Sequence, residues 1–186
     1  FLNQEYSCEF VVHAPELFEN SELLDLASSS SSYRRNSISN MQRVIDLTLN
    51  LKRFFPNTKR PLIVTNVGGF SMDQNFTHHE VKEGYEIFAK SLSELNTNGV
   101  EIIPQTMAPY PWHFGGQSFH NLFVSSDEIV TFCEKFQTRI CLDISHSKMA
   151  CSYYNWDFNK FVERVAPYVA HLHIVDAKGS DGEGIQ

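Results

Sequence analysis

The chain has 186 residues, 42% hydrophobic and 20% charged, with a formal net charge of −7. That length suits one domain able to bury roughly 70% of the surface its unfolded chain would expose. The acidic balance argues against a nucleic-acid partner, which needs a basic face to neutralise phosphates, and no apolar run approaches the ~18 residues of a membrane span.

In chain order, the first strand-like run is Cys8-Glu9-Phe10-Val11-Val12, ending at His13-Ala14-Pro15. A serine run over 28–32 reads as an exposed loop tip inside one βα unit. Met41, Val44, Ile45, Leu49 and Leu51 then mark one face of a helix over 40–55. Pro61-Leu62-Ile63-Val64-Thr65 is the second strand, closed by Asn66-Val67-Gly68-Gly69. Val81, Tyr85, Phe88, Leu92 and Leu95 recur at helical spacing until Asn98-Gly99 stops them. Val100-Glu101-Ile102-Ile103 is the third strand, ending at Pro104-Gln105. Ser125-Ser126-Asp127-Glu128 has the form of a capping box ahead of Ile129, Phe132, Cys133 and Phe136. The fourth strand runs from Arg139 to Leu142. Asp157 suits the cap of a helix carrying Phe158, Phe161, Val162 and Val165, and Val169 to Val175 is the fifth strand, ending at Asp176.

Short Val- and Ile-rich strands alternating with amphipathic helices imply parallel strands, right-handed crossovers and helices packed outside. An open doubly wound sheet and a closed (β/α)8 barrel both fit. In either, ligands gather at the C-terminal ends of the strands, and the polar residues collect there: His13, Asn66, Gln105, Asp143 with His146, and His173 with Asp176. Each has a structural explanation when taken alone. A strand-end Asp caps helices, and Asn66 could answer only to the glycine turn behind it. Together, Asp, His and amide side chains suit a divalent metal such as Mn, Zn, Co, Fe or Mg. His171 and His173 share a strand face, and His173, nearer the C-terminal end, is the expected ligand, with His171 in an inner layer. Cys8, Cys133, Cys141 and Cys151 form no C-x-x-C pair and read as reduced thiols in a cytoplasmic protein.

"CLDISH" at 141–146, "HLHIVDAKG" at 171–179 and "FVVHAP" at 10–15 resemble the xylose-isomerase-like TIM-barrel superfamily. Its members include sugar isomerases and epimerases, inosose dehydratases and the endonuclease IV type of DNA-repair enzyme. The resemblance implies a (β/α)8 TIM barrel in which Asp143 and His173 bind a divalent metal and His146 lies near substrate or a further metal. Where the family carries a metal-binding, proton-moving Glu, this chain has Gln105, whose amide oxygen can ligate a metal but accepts no proton at neutral pH. A second Glu expected on the last strand does not occur before "DGEGIQ". Five βα units are visible, so the barrel expected here is incomplete, with strands missing at both ends.

The expected activity is that of a metal-dependent isomerase or epimerase of a sugar or related polyol, moving a proton beside an oxygen polarised by the metal. Residues 108–122, "APYPWHFGGQSFHNL", would cover the substrate. In that reading Trp112 and Phe114 stack on a sugar face, and Gln117, His13 and Asn66 bind hydroxyls. His113 or His120 supplies the base that Gln105 cannot. Two alternatives stand: a barrel that binds a sugar or a partner protein without turnover, and a phosphodiesterase of the endonuclease IV type, against which the acidic charge weighs. Self-association into a homo-oligomer is compatible with the sequence.

Overall fold

The computed structural model describes residues 3–19, 22–110, 118–180 and 182–183. The elements in order are β1 (Val11–His13), α1 (Ser31–Lys52), β2 (Leu62–Thr65), β3 (Phe70–Ser71), α2 (His78–Ser93), β4 (Glu101–Pro104), β5 (Phe119–His120), α3 (Ser126–Phe136), β6 (Ile140–Asp143), α4 (Ile144–Tyr154), α5 (Phe158–Val165), a 3-10 turn, β7 (Val169–His173), β8 (Ala177–Lys178) and β9 (Gly182–Glu183). β1, β2 and β4 pair in parallel, as do β6 and β7. A single parallel bridge between Gln105 and Cys141 joins the two groups. The five expected strands thus lie side by side in chain order. Two antiparallel ribbons, β3 with β5 and β8 with β9, are additions that the sequence reading did not foresee.

Strand alternation sorts side chains onto two faces. Ile63, Ile102, Ile140 and Leu142 join Met41, Ile45, Phe88, Ile129, Phe132 and Phe161 in the main core, between strands and helices. Burying each such side chain contributes about 1.5–3 kcal/mol. Val64, Ile103 and Cys141 form a separate, smaller cluster on the helix-free face. Register places His13, Val64 and Ile103 in one row of that face, and Gln105, Cys141 and His171 in another.

Several expectations change in detail. α1 begins at Ser31, so the serine run is a helix start and not a loop tip: Ser30 is its cap, accepting from the Tyr33 N–H. Its first turns lack an apolar stripe because they pack on the preceding loop through polar groups, Tyr33 to the Leu23 carbonyl and Ser37 to the Asp25 N–H. Near its end Thr48 is buried and Leu49 exposed; Thr48 settles its hydroxyl within the helix, on the Val44 carbonyl. Ser125 precedes α3 but makes no side-chain cap bond. The capping box forms instead at Thr77 and Glu80, opening α2. The helix α4, absent from the sequence reading, is buried on several sides at once through Ser145, His146, Ser147, Met149, Ala150 and Cys151, which leaves no clear apolar stripe. Asp157 caps α5 as expected.

One turn requires glycine. Gly68 and Gly69 have φ of +90° and +76°, and a Cβ on Gly68 would fall 2.0 Å from Asp25 Oδ1. That oxygen accepts from the Gly69 N–H at 2.9 Å and the Ala27 N–H at 3.1 Å. The loop after β1 is thereby strapped to the loop after β2. Among the described residues no helix is long and apolar enough to cross a membrane.

Candidate metal and substrate site

The strand β6 ends on Asp143, which serves two purposes. It caps α4, its Oδ1 accepting from the His146 N–H at 2.9 Å and from the Ser145 hydroxyl at 2.7 Å. That commits one carboxylate oxygen. The other, Oδ2, lies 3.4 Å from His173 Nδ1 and 3.7 Å from His146 Nδ1. Asp143 and His173 are register partners on neighbouring strands, so their side chains project from the same face. The backbone beneath is pinned by Thr106: the Asp143 N–H donates to its hydroxyl at 2.9 Å, and the hydroxyl lies 3.0 Å from Ser147 Oγ.

His146 Nδ1 is 2.9 Å from the Thr106 carbonyl, so Nδ1 carries the ring proton and Nε2 the lone pair. His13 Nδ1 is 2.8 Å from the Ala14 carbonyl, with the same consequence. Gln105 bridges the two rings: its Oε1 is placed 3.2 Å from His13 Nε2 and its Nε2 3.2 Å from His146 Nδ1. Acceptor then meets acceptor, and donor meets donor. A half-turn of the amide about its terminal bond resolves both, the NH2 donating to His13 Nε2 and the oxygen accepting from His146. Gln105 therefore clips the His13 and His146 imidazoles together.

The His173 ring stacks on His13 with centroids 5.4 Å apart and meets His171 edge-on at 5.5 Å. Burial, the largest cause, pushes the His173 pKa below its ordinary value; His13 and His171 add to this and Asp143 opposes it. His173 is thus neutral at pH 7, the form in which imidazole ligates metals. His171 sits one row deeper beside Cys141, in the inner-layer place expected of it.

Two ligands held at ~2.1 Å from one ion at near-tetrahedral angles are roughly 3.4 Å apart. The Asp143 and His173 donor atoms have that separation, and one carboxylate oxygen faces the neutral ring, so this pair fits a divalent ion. Among the described residues no group of three His, Cys, Asp or Glu side chains forms a fuller set. A third protein ligand would come from the Gln105 amide.

Asn66 is buried at 3% exposure. Its amide nitrogen donates to Glu16, and its Oδ1 has no partner among the described residues. His120, expected as a base, is 1% exposed, with Nδ1 3.2 Å from the Ala108 carbonyl and its ring against Phe70. Trp112, His113, Phe114 and Gln117 lie outside the described residues. Asp176, at the expected rim position, pairs with Lys148 at 2.8 Å and is exposed. The sequence reading missed Thr106, Ser145, Ser147 and Glu16. Their signal was adjacency, since each hydroxyl stands one or two residues from a rim Gln, Asp or His, and Glu16 three residues after His13.

A family model described as xylose isomerase-like TIM barrel matches residues 2–185. No curated protein sequence matches the chain. Among solved structures, a D-tagatose 3-epimerase-like protein superposes with a TM-score of 0.66 at 20% identity, over 95% of this chain and 59% of its own. Endonuclease IV from Thermus thermophilus gives 0.54 at 17% identity, over 94% and 55%. D-allulose 3-epimerase from Methylomonas sp., in complex with D-allulose, gives 0.55 at 10% identity, over 81% and 48%. At these identities the likeness is one of fold, and the chain spans about half the length of these proteins.

Proposed function

The chain belongs to the xylose isomerase-like TIM-barrel family, and from that premise we propose that it serves a divalent-metal-dependent isomerase or epimerase of a sugar or related polyol. The carrying observation is the Asp143 Oδ2 and His173 Nδ1 pair, 3.4 Å apart at the C-terminal ends of adjacent strands. D-Allulose bound to the Methylomonas epimerase supports a ketose as the kind of substrate.

Asp143 and His173 would hold the ion, with Gln105 as third ligand. A bound divalent cation polarises a carbonyl or hydroxyl oxygen of the substrate. The chain's own residues do the rest. The Ser145 hydroxyl and the His146 N–H fix the Asp143 carboxylate through Oδ1, leaving Oδ2 to face His173. His146, its Nδ1 held at the Thr106 carbonyl, would stand beside the substrate. His13, stacked on His173, and Asn66 would bind substrate hydroxyls. The four unpaired cysteines accord with a reducing, cytoplasmic setting.

The test is carbon-bound deuterium. The full-length protein with added Mn2+ is incubated in D2O with D-allulose or D-fructose and followed by proton NMR. Incorporation next to the carbonyl is the expected outcome. Gln105, an amide that accepts no proton, favours one other reading: a barrel that binds sugars without turnover. Sugar binding by calorimetry with no deuterium uptake would establish that reading instead.

A further inference from the structure

The parallel strands fall into two groups, β1–β2–β4 and β6–β7. Asp143 and His173 belong to the second, and Gln105 follows the last strand of the first. Among the described residues the two groups meet in a single bridge, Gln105 with Cys141. Thr106 is the next residue of the chain and is fully buried. We infer that Thr106 is a positioning residue of the metal site, its hydroxyl holding the backbone of Asp143 while its carbonyl holds the ring of His146. This rests on the metal-dependent reading above.

The polar atoms of Thr106 all meet the segment 141–147. Its N–H donates to the Cys141 carbonyl at 3.0 Å. Its carbonyl accepts from His146 Nδ1 at 2.9 Å. Its hydroxyl oxygen accepts from the Asp143 N–H at 2.9 Å, and lies 3.3 Å from the Asp143 carbonyl and 3.0 Å from Ser147 Oγ. Ser147 is itself buried and backs the hydroxyl from within α4.

The arrangement is a substitution within the ladder. Parallel strands exchange evenly spaced bonds from N–H to carbonyl. After the Thr106 N–H donates to Cys141, the next bond of that series would run from the Asp143 N–H to the Thr106 carbonyl. That carbonyl goes to His146 instead, and the Thr106 hydroxyl takes the Asp143 N–H in its place. One residue of the first strand group thus fixes both Asp143 and His146 of the second. Asp143 has particular use for such a hold, because it ends β6 and caps α4 at the same point. A change in its backbone angles there would swing Oδ2 away from His173 Nδ1, which lies 3.4 Å from it.

The full-length protein is titrated with Mn2+ by calorimetry, without sugar and well below its unfolding midpoint. Thr106→Val keeps the side-chain shape and removes the acceptor of the Asp143 N–H. Mn2+ affinity is expected to fall roughly 10-fold, the low end of what losing an outer partner of a metal ligand costs, because the hydroxyl acts on the Asp143 backbone and not on its carboxylate. Thr106→Ser, which keeps the hydroxyl, is expected to restore the affinity. Thr48→Val removes an equally buried hydroxyl within α1 and is expected to leave Mn2+ affinity unchanged, whatever it does to the unfolding midpoint. Unchanged affinity in Thr106→Val, an equal loss in Thr48→Val, or no recovery in Thr106→Ser would overturn the assignment and leave the metal site standing. If Thr106→Val does not fold, Ser147→Ala takes its place: weakened Mn2+ binding supports the assignment and unchanged binding overturns it. No Mn2+ binding by the unaltered protein would overturn both this assignment and the proposed function.

Discussion

The two ends of the parallel strands carry comparable charge and treat it in opposite ways. At the N-terminal end Glu101 is gripped by Arg139 through two bonds of 2.8 Å, with Arg60 at 3.8 Å. The hydrogen bond from Arg139 holds the Glu101 carboxyl below its ordinary pKa. The one carboxylate there is shared between two guanidinium groups. At the C-terminal end the groups are fastened but not neutralised. Asp143 spends one oxygen on capping α4 and turns the other toward the His173 and His146 imidazoles, and Asn66 keeps a buried oxygen without a partner among the described residues. One edge holds an ion pair of its own; the other holds the groups to which the proposed function assigns an ion and a substrate.

The comparison breaks most sharply at Asp143. Asp143→Asn keeps a side-chain oxygen for the α4 cap but removes the charge. Mn2+ affinity, measured by calorimetry, is expected to fall by roughly 1000-fold, beyond the ~10–100-fold that loss of an outer hydrogen bond to a ligand costs. The unfolding midpoint should change little. An unaltered affinity would remove Asp143 from the metal site.

A smaller effect sharpens the picture of the C-terminal edge as incompletely compensated. Burial raises the Asp25 pKa from 3.8 to about 6, against the lowering effect of the Gly69 and Ala27 N–H groups. The folded state therefore binds this proton more tightly than the unfolded state does. The resulting stability is fully present below pH 3.8 and is lost as pH rises through about 6. Urea unfolding of the unaltered protein and of Asp25→Asn should diverge across that window by about 3 kcal/mol, since each tenfold change in proton affinity is worth about 1.4 kcal/mol. Parallel curves would show that Asp25 titrates normally.

The smallest effect belongs to the N-terminal edge. Arg139 has a side chain 51% exposed, and exposed pairs contribute about 1 kcal/mol or less. Arg139→Gln should cost no more than that in urea unfolding and leave Mn2+ affinity untouched. A change in metal binding would mean that the two edges are coupled.

Much of this was legible in one dimension. Ile63, Ile102, Ile140 and Leu142 announced parallel strands because residues buried between sheet and helices must be apolar wherever the chain passes. The rim residues His13, Gln105, Asp143 and His173 announced a site because polar groups directly after such runs fall at one edge of a parallel sheet. α4 was not legible, since a helix buried on several sides carries no stripe, and neither was the role of Ser30, which a serine run disguised as a loop. The clip formed by Gln105 between His13 and His146 was also hidden, because it joins residues 92 and 41 positions apart.

The sequence by itself determined the parallel α/β architecture, the edge at which chemistry gathers, and the residue types able to hold a cation there. Periodicity and strand-end placement are local properties that survive being read along a line. Tertiary structure alone decided which Asp143 oxygen stays open, which nitrogen each imidazole offers, and that Asn66 meets Glu16. Those outcomes depend on distances of about a hydrogen bond between groups from different strands, and only packing brings them that close.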